Sequence, residues 1–285
     1  MGTRKNNKSS KKIRKTRSKR QRGGGIASSR PRAAGPNIKR TNDDIRIAVH
    51  SVCSTSEFVR TQAEAKYGKI SNWDVSDVTN MKELFSGKKS FNSDISRWDV
   101  SNVTNMEHMF YGALAFNQPI GGWDVLNVTN MAGMFSIARI FNQPIGGWNV
   151  SNVTNMESMF YGAHAFNQPI GDWVVSNVIY MEGMFFDARV FNQPIGCWDV
   201  EKVTNVESMF HGAREYDLTM LQPKKCVDRT ATEQKEFKKQ CPEIKPLQQL
   251  VTNQHPELKS IIKNNGSTNF TPNGGKRKSK KSKKK

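Results

Sequence analysis

The chain has no run of eighteen apolar residues, no apolar stretch following its basic start, no C-x-x-C pair, and no acidic residue among its first forty positions. Without a long apolar run no membrane-spanning helix is expected. Met1 to Gly25 is basic and polar throughout, which excludes a secretory signal peptide and favours an intracellular place, nuclear or virion-associated, over the alternative of a cell surface. The four cysteines, Cys53, Cys197, Cys226 and Cys241, are widely spaced. That spacing points to free thiols, and to neither a zinc site nor a disulfide scaffold. Only 36% of the residues are hydrophobic, so only part of the chain need pack.

Charge is unevenly placed. Residues 1–40 hold 15 Lys or Arg, and residues 276–285 hold 8, again with no acid. Residues 71–216 carry 15 acids against 8 bases, so a net charge of +19 conceals an acidic body between basic ends. This is the reverse of a nucleic-acid-binding fold with a positive face. The tails contain no interleaved aromatic residues, so any nucleic acid or anionic surface they touch is bound without sequence readout.

What the sequence does have is a repeat. The six tryptophans, Trp73, Trp98, Trp123, Trp148, Trp173 and Trp198, fall at intervals of 25, and Phe85, Phe110, Phe135, Phe160, Phe185 and Phe210 keep the same phase. Met81, Met106, Met131, Met156 and Met181 do likewise, with Val206 completing the row. A 25-residue unit cannot bury its own apolar face, so the units must stack. Within a unit, Ile95, Trp98 and Val100 predict a short strand with Asp99 on its opposite side. Thr154 to Glu157 reads as a capping box, and Met156, Met159 and Phe160 fall at i, i+3 and i+4, predicting a two-turn helix closed by Gly162. Pro119, Pro144, Pro169 and Pro194 bar its continuation. The expected fold class is therefore an α/β repeat solenoid of six units, each with a short parallel strand and a short helix.

The expected organisation is a disordered basic tail over 1–40, a helical N-terminal cap over 41–70, the six-unit solenoid over 71–216, a C-terminal cap or partly helical extension over 217–263, and a disordered Lys-rich tail over 264–285. Within the first cap, Asp43 to His50 and Ser56 to Tyr67 read as helical, the second piece ending at Gly68.

The W-D-V-S-N-V-T-N-M and F-N-Q-P-I runs, over roughly residues 67–216, resemble the BspA-like leucine-rich-repeat family known as DUF285. The resemblance implies a leucine-rich-repeat-like solenoid with a protein-interaction or surface-adhesion role, and offers no catalytic residue or cofactor. The N-terminal run ending Arg22-Gly23-Gly24-Gly25 resembles, in composition, tails on proteins of large DNA viruses of algae and protists.

Candidate binding positions follow from the predicted strand. Asp74, Asp99, Asp124, Asn149, Val174 and Asp199 form a ladder facing away from Trp and Val, suited to a basic partner or a cation and equally to keeping a solvated face soluble. A linear ladder does not gather the six to eight oxygens that calcium needs, so no metal is expected. Val174, Ile179 and Tyr180 of the fifth unit replace Asp, Thr and Asn, which reads as a contact patch or as drift in a duplicated unit. His108, His164 and His211 occupy different positions in their units, so no catalytic constellation is expected. Asn102, Asn127, Asn152, Asn265 and Asn269 match the glycosylation pattern, but in the repeats their threonines are needed as caps. Three functions follow: a protein-interaction module with an unknown protein partner and electrostatic tails; a nucleic-acid-associated structural protein in which the tails bind; and an adhesin exported by an unconventional route.

Overall fold

The computed structural model describes residues 39–221, 247–254 and 256. The basic tails apart from Lys39 and Arg40, together with Cys226, Cys241, Asn265, Asn269 and most of the expected C-terminal extension, lie outside the described residues. Each 25 residues bring the chain back beside its previous pass. Single parallel bridges join Asn80 to Asn105, Asn105 to Asn130, Asn130 to Asn155, Asn155 to Tyr180 and Tyr180 to Asn205.

The hydrogen-bond pattern departs from the sequence expectation at two places. The predicted strand at Ile95–Val100 is instead a pair of turns, closed by Trp98 N–H to Ile95 O at 3.1 Å and Val103 N–H to Val100 O at 2.9 Å. Among the described residues the parallel pairing between successive repeat units falls five residues later, on Asn105. The predicted helix after Thr154 is not a helix either. Met156, Ser158, Phe160 and Gly162 give their N–H groups to Tyr180, Glu182, Met184 and Phe186 of the next unit, at 2.7–2.9 Å. The alternate N–H groups close four-residue turns within the unit, Met159 to Met156 O and Tyr161 to Ser158 O. A helix would spend all these donors internally, whereas the turns leave every second one for the neighbour, which is how 25-residue units hold together with almost no regular structure.

The turns Met156–Met159 and Phe160–Ala163 take positive φ at their third residues, Ser158 and Gly162, as a type II turn does. In each unit two positions take it, and each unit supplies one glycine and one other residue: His108 with Gly112, Gly133 with Ile137, Ser158 with Gly162, Gly183 with Asp187. The order of the pair reverses from each of these units to the next. Gly133 shows why, because a Cβ there would sit 2.2 Å from the ring of His108 in the preceding unit. A side chain in one unit thus lies over a glycine in the next.

The core is made of columns. Phe85, Phe110, Phe135, Phe160, Phe185 and Phe210 stack at 5.5–5.8 Å between centroids. Phe91, Phe116, Phe141, Phe166, Phe191 and Tyr216 form a second column at 5.7–6.2 Å. The six indoles are all buried, and Trp73–Trp98 and Trp173–Trp198 stack at 6.2 and 6.4 Å. From Trp98 onward each indole N–H donates to a carbonyl of the preceding pass, as Trp123 does to Ile95 O at 3.2 Å, and Trp73 donates to Gly68 O, so burying the rings strands no donor. Polar side chains extend the ladder. Asn117 N–H donates to Asn92 Oδ1 and Gln118 Nε2 to Asn92 O, and the same pair recurs at 142 and 143, 167 and 168, and 192 and 193.

Both ends are covered. Helices α1 (Ile45–Val52) and α2 (Glu57–Tyr67) precede the first unit, α2 opened by Ser56 and closed by Gly68 at φ 72°. Lys39 bridges Asp74, and Asn42 Oδ1 accepts from Thr79 and Asn80 N–H, supplying the acceptors that a preceding unit would offer. The buried Arg40 guanidinium lies 4.7 Å from the Trp73 ring and 5.1 Å from Tyr67, covering the exposed end of the indole series. At the far end, helix α3 (Leu247–Gln254) places Leu247 and Val251 in the core. Gln254 accepts from Val206 N–H at 3.0 Å and donates to Thr204 O at 3.3 Å.

Candidate binding surface

The aspartate ladder exists, but not as one face of a strand. Asp74, Asp99, Asp124, Asn149 and Asp199 each accept, through Oδ1, the N–H of the residue two positions on, at 3.0–3.2 Å. They are Asx turns that fix the chain between Val75-type and Val78-type core positions. At Asp74 the Ser76 hydroxyl and then its N–H hold the carboxyl below the ordinary carboxylate value. One oxygen of each residue is thereby engaged in local structure, which leaves the aspartates a second carboxylate oxygen and Asn149 only its amide nitrogen. Val174 cannot make this turn bond and is 56% exposed.

The threonines are not helix caps. Thr104, Thr129 and Thr154 donate Oγ1–H to the carbonyl of the equivalent threonine one unit back, at 3.1–3.2 Å. Asn102, Asn127, Asn152 and Asn177 donate Nδ2 to the preceding unit at 2.8–2.9 Å, so the repeat asparagines of the glycosylation pattern are structural. Ile179 gives up the threonine bond yet keeps its backbone link to Thr154 O at 2.8 Å. Tyr180 keeps both of its bridges and holds its ring 50% exposed. The structure thus brings Val174 and Tyr180 to the surface and leaves Ile179 half-buried.

Two features escaped the sequence reading. The first is that charge segregates within the unit. The eleven positions from each Trp hold eleven acids, among them the row Glu107, Glu157, Glu182 and Glu207, and two lysines, Lys82 and Lys202. The remaining positions through residue 216 hold four acids and six bases. In the acidic half Val100, Val103 and Met106 point inward while Asp99, Asn102 and Thr104 are exposed, so the charges lie on its outward side. The second feature is an outer aromatic stack, Tyr161, Phe186 and His211, with ring centroids 4.6 Å apart at both steps. Asp187 lies next to Phe186 and accepts from His164 at 2.9 Å and from Arg189 at 3.1 Å. Partial burial opposes ionisation of Asp187, yet the Arg189 and His164 bonds hold its carboxyl below the usual value. His164 and His211 therefore meet the same neighbouring unit although they differ in register. Reading each repeat position down the chain as a column would have found both features.

The thiol expectation divides. Cys53 is free, and burial pushes its thiol up to about 11. Cys197 is disulfide-bonded, which corrects the reading of four free thiols. Among the described residues no group of three or more His, Cys, Asp or Glu is placed to hold a metal ion, and no helix is long and apolar enough to cross a membrane. An open cleft of about 550 Å³ beside α2 is lined by Glu57, Arg60, Glu64, Lys69 and Asp94 among others, with no histidine or cysteine in its wall.

Comparison with known proteins gives one family. The model described as "Mycoplasma protein of unknown function, DUF285" matches residues 53–153 and 142–240. No curated protein matches the chain. Among solved structures, the T. pallidum leucine-rich-repeat protein TpLRR is similar over 54% of this chain and 78% of its own, at 12% identity and a TM-score of 0.30.

Proposed function

The chain belongs to the DUF285 family, the BspA-like leucine-rich-repeat proteins, and from that membership and the geometry of its repeats we propose a non-catalytic binding solenoid that presents its acidic half-units to a basic protein partner. The observation that carries this reading is the segregation of eleven acids and two lysines onto one half of the stacked units. The acids are arrayed at a fixed rise of about 4.8 Å per unit. Stacked side chains and inter-unit bonds fix the rows before any partner arrives, so little ordering cost attaches to binding. Asp99, Asp124 and Asp199 supply charge, and the exposed Val174 and Tyr180 with the half-buried Ile179 supply an apolar step within it.

The test is capture of partners by the full chain and by the charge-reversed variant Asp99→Lys/Asp124→Lys/Glu157→Lys, with the fold checked by circular dichroism. Loss of a basic protein from the variant's partners supports the reading; identical partner sets refute it. A second reading rests on the 23 Lys and Arg of residues 1–40 and 276–285: these segments hold the protein on nucleic acid or another polyanion inside a cell or virion. Retention on DNA that survives deletion of both segments refutes it.

A further inference from the structure

We propose that the lysine-rich C-terminal segment, residues 257–285, docks in cis along the acidic half-units of its own stack. The proposal deepens the function argued above in one respect, that a docked segment competes with a basic partner for the same row.

Three observations carry it. Residues 257–285 contain ten Lys or Arg and one acid, opposite in sign to the acidic half-units. The last described residues of α3 lie against the sixth unit: Gln254 is hydrogen-bonded to Thr204 O and Val206 N–H, in the unit that carries Asp199, Glu201 and Glu207. Last, most acids of these half-units have no Lys or Arg partner among the described residues, Glu83, Asp99 and Asp124 as well as those toward the C-terminal end. Toward the N-terminal end, Asp77 pairs with Lys39 at 2.8 Å and Glu107 with Lys82 at 2.9 Å. Among the described residues Glu157, Glu182, Asp199, Glu201 and Glu207 have no Lys or Arg nitrogen within 4.0 Å.

Lys39 shows how a basic residue from outside the repeats uses this row, since it lies in a parallel bridge to Asp74 while its ammonium meets Asp77. Reach is ample: 29 extended residues span up to about 100 Å, against about 24 Å for six stacked units. The attraction is between exposed charges, so it weakens as the screening length falls from about 10 Å at 0.1 M salt toward about 3 Å at 1 M.

The full chain, partner-free and dilute, is treated with a zero-length carbodiimide reagent at low and high salt, and the Lys-to-carboxylate links are mapped by mass spectrometry on an isotopically mixed sample. Links within one molecule from lysines of 257–285 to Glu182, Asp199, Glu201 and Glu207, lost at high salt, are expected. Trypsin gives a second reading on Glu182→Gln/Asp199→Asn/Glu201→Gln/Glu207→Gln: a segment docked nine-tenths of the time is cut about tenfold more slowly than a free one, and the variant removes that protection. Links spread equally onto Glu57, Glu64 and Asp94, links only between molecules, or equal cutting of wild type and variant at low salt overturn the proposal. Because no partner is present, those outcomes leave the binding function untouched; that function fails separately, in the capture experiment.

Discussion

Gly146→Ala is expected to be among the most damaging single-methyl additions to the stack, while the same change at the adjacent Gly147 is harmless. A Cβ on Gly146 would lie 2.2 Å from the carbonyl oxygen of Pro169 in the next unit, and one on Gly147 meets nothing within 4 Å. Neither residue has positive φ, so the contrast isolates space from conformational preference. The obstructing atom is backbone, which no rotamer change can move, and relief requires the two units to separate by about 1 Å. Overpacking of this kind costs about 1–3 kcal/mol and sometimes more. Separation at this point also strains the Trp173 Nε1 bond to Ile145 O, 3.2 Å and buried, whose loss adds about 1–3 kcal/mol. A penalty of about 3–5 kcal/mol follows, whereas Gly147→Ala gains about 0.4–1 kcal/mol by restricting the unfolded chain. The difference, about 4 kcal/mol, is between a hundredfold and a thousandfold in the folding equilibrium. Urea unfolding of the full chain, followed by the fluorescence of its six buried indoles, measures it. Two variants within about 1 kcal/mol of each other would refute the claim that adjacent passes of the chain touch at their backbones there.

Gly133→Ala should destabilise more than Gly112→Ala, because His108 occupies the space at the first and only the Gly87 backbone at 4.0 Å approaches the second; adding His108→Gly to Gly133→Ala should recover part of the loss in a double-mutant cycle. Phe160→Ala, which removes a ring from contact with Phe166 at 3.9 Å and from its column, should cost about 3–5 kcal/mol in the same unfolding assay, and Tyr161→Ala on the outer stack only about 0.5–1.5 kcal/mol. Cys53, its thiol raised to about 11 by burial, should react with iodoacetamide at pH 8 far more slowly in the native chain than in urea; equal rates would contradict its burial. Asp187 titrates below its ordinary 3.8, so the stability it lends is complete above that value and lost as pH falls through the lowered one. The difference in Tm between wild type and Asp187→Asn should therefore be undiminished at pH 5 and shrink below about pH 4.

The period, the columns of Trp and Phe, and the membership of the core were legible in the sequence, because burial repeats with the unit and only apolar side chains fill a dry column. The local geometry was not. Thr154-Asn155-Met156-Glu157 followed by Met159 and Phe160 satisfies every local rule for a helix start, yet Met156 N–H and Ser158 N–H are taken by the carbonyls of Tyr180 and Glu182 one unit away. Propensity describes a unit by itself, and this unit is never by itself. The signal against a helix was present in the glycines: Gly133 and Gly183 stand inside the supposed helix, four residues before the position where Gly112, Gly162 and Gly212 stand in the other units.

The fifth unit shows which parts of the repeat are fixed by folding and which are left to function. Val174, Ile179 and Tyr180 together forfeit an Asx turn, a threonine hydroxyl bond and the Asn-type bond that Asn155 makes to Glu157 N–H at 2.9 Å. Even so, Ile179 N–H still reaches Thr154 O, and Tyr180 still bridges both neighbours. The backbone ladder and the inward columns therefore carry the stack, and the outward side-chain bonds are individually dispensable. Positions that can lose their bonds without losing the fold are those at which a partner can dictate the residue. On that reasoning the acids of the outward rows, which add like charge at a spacing that folding alone would penalise, are the positions on which the proposed binding role rests.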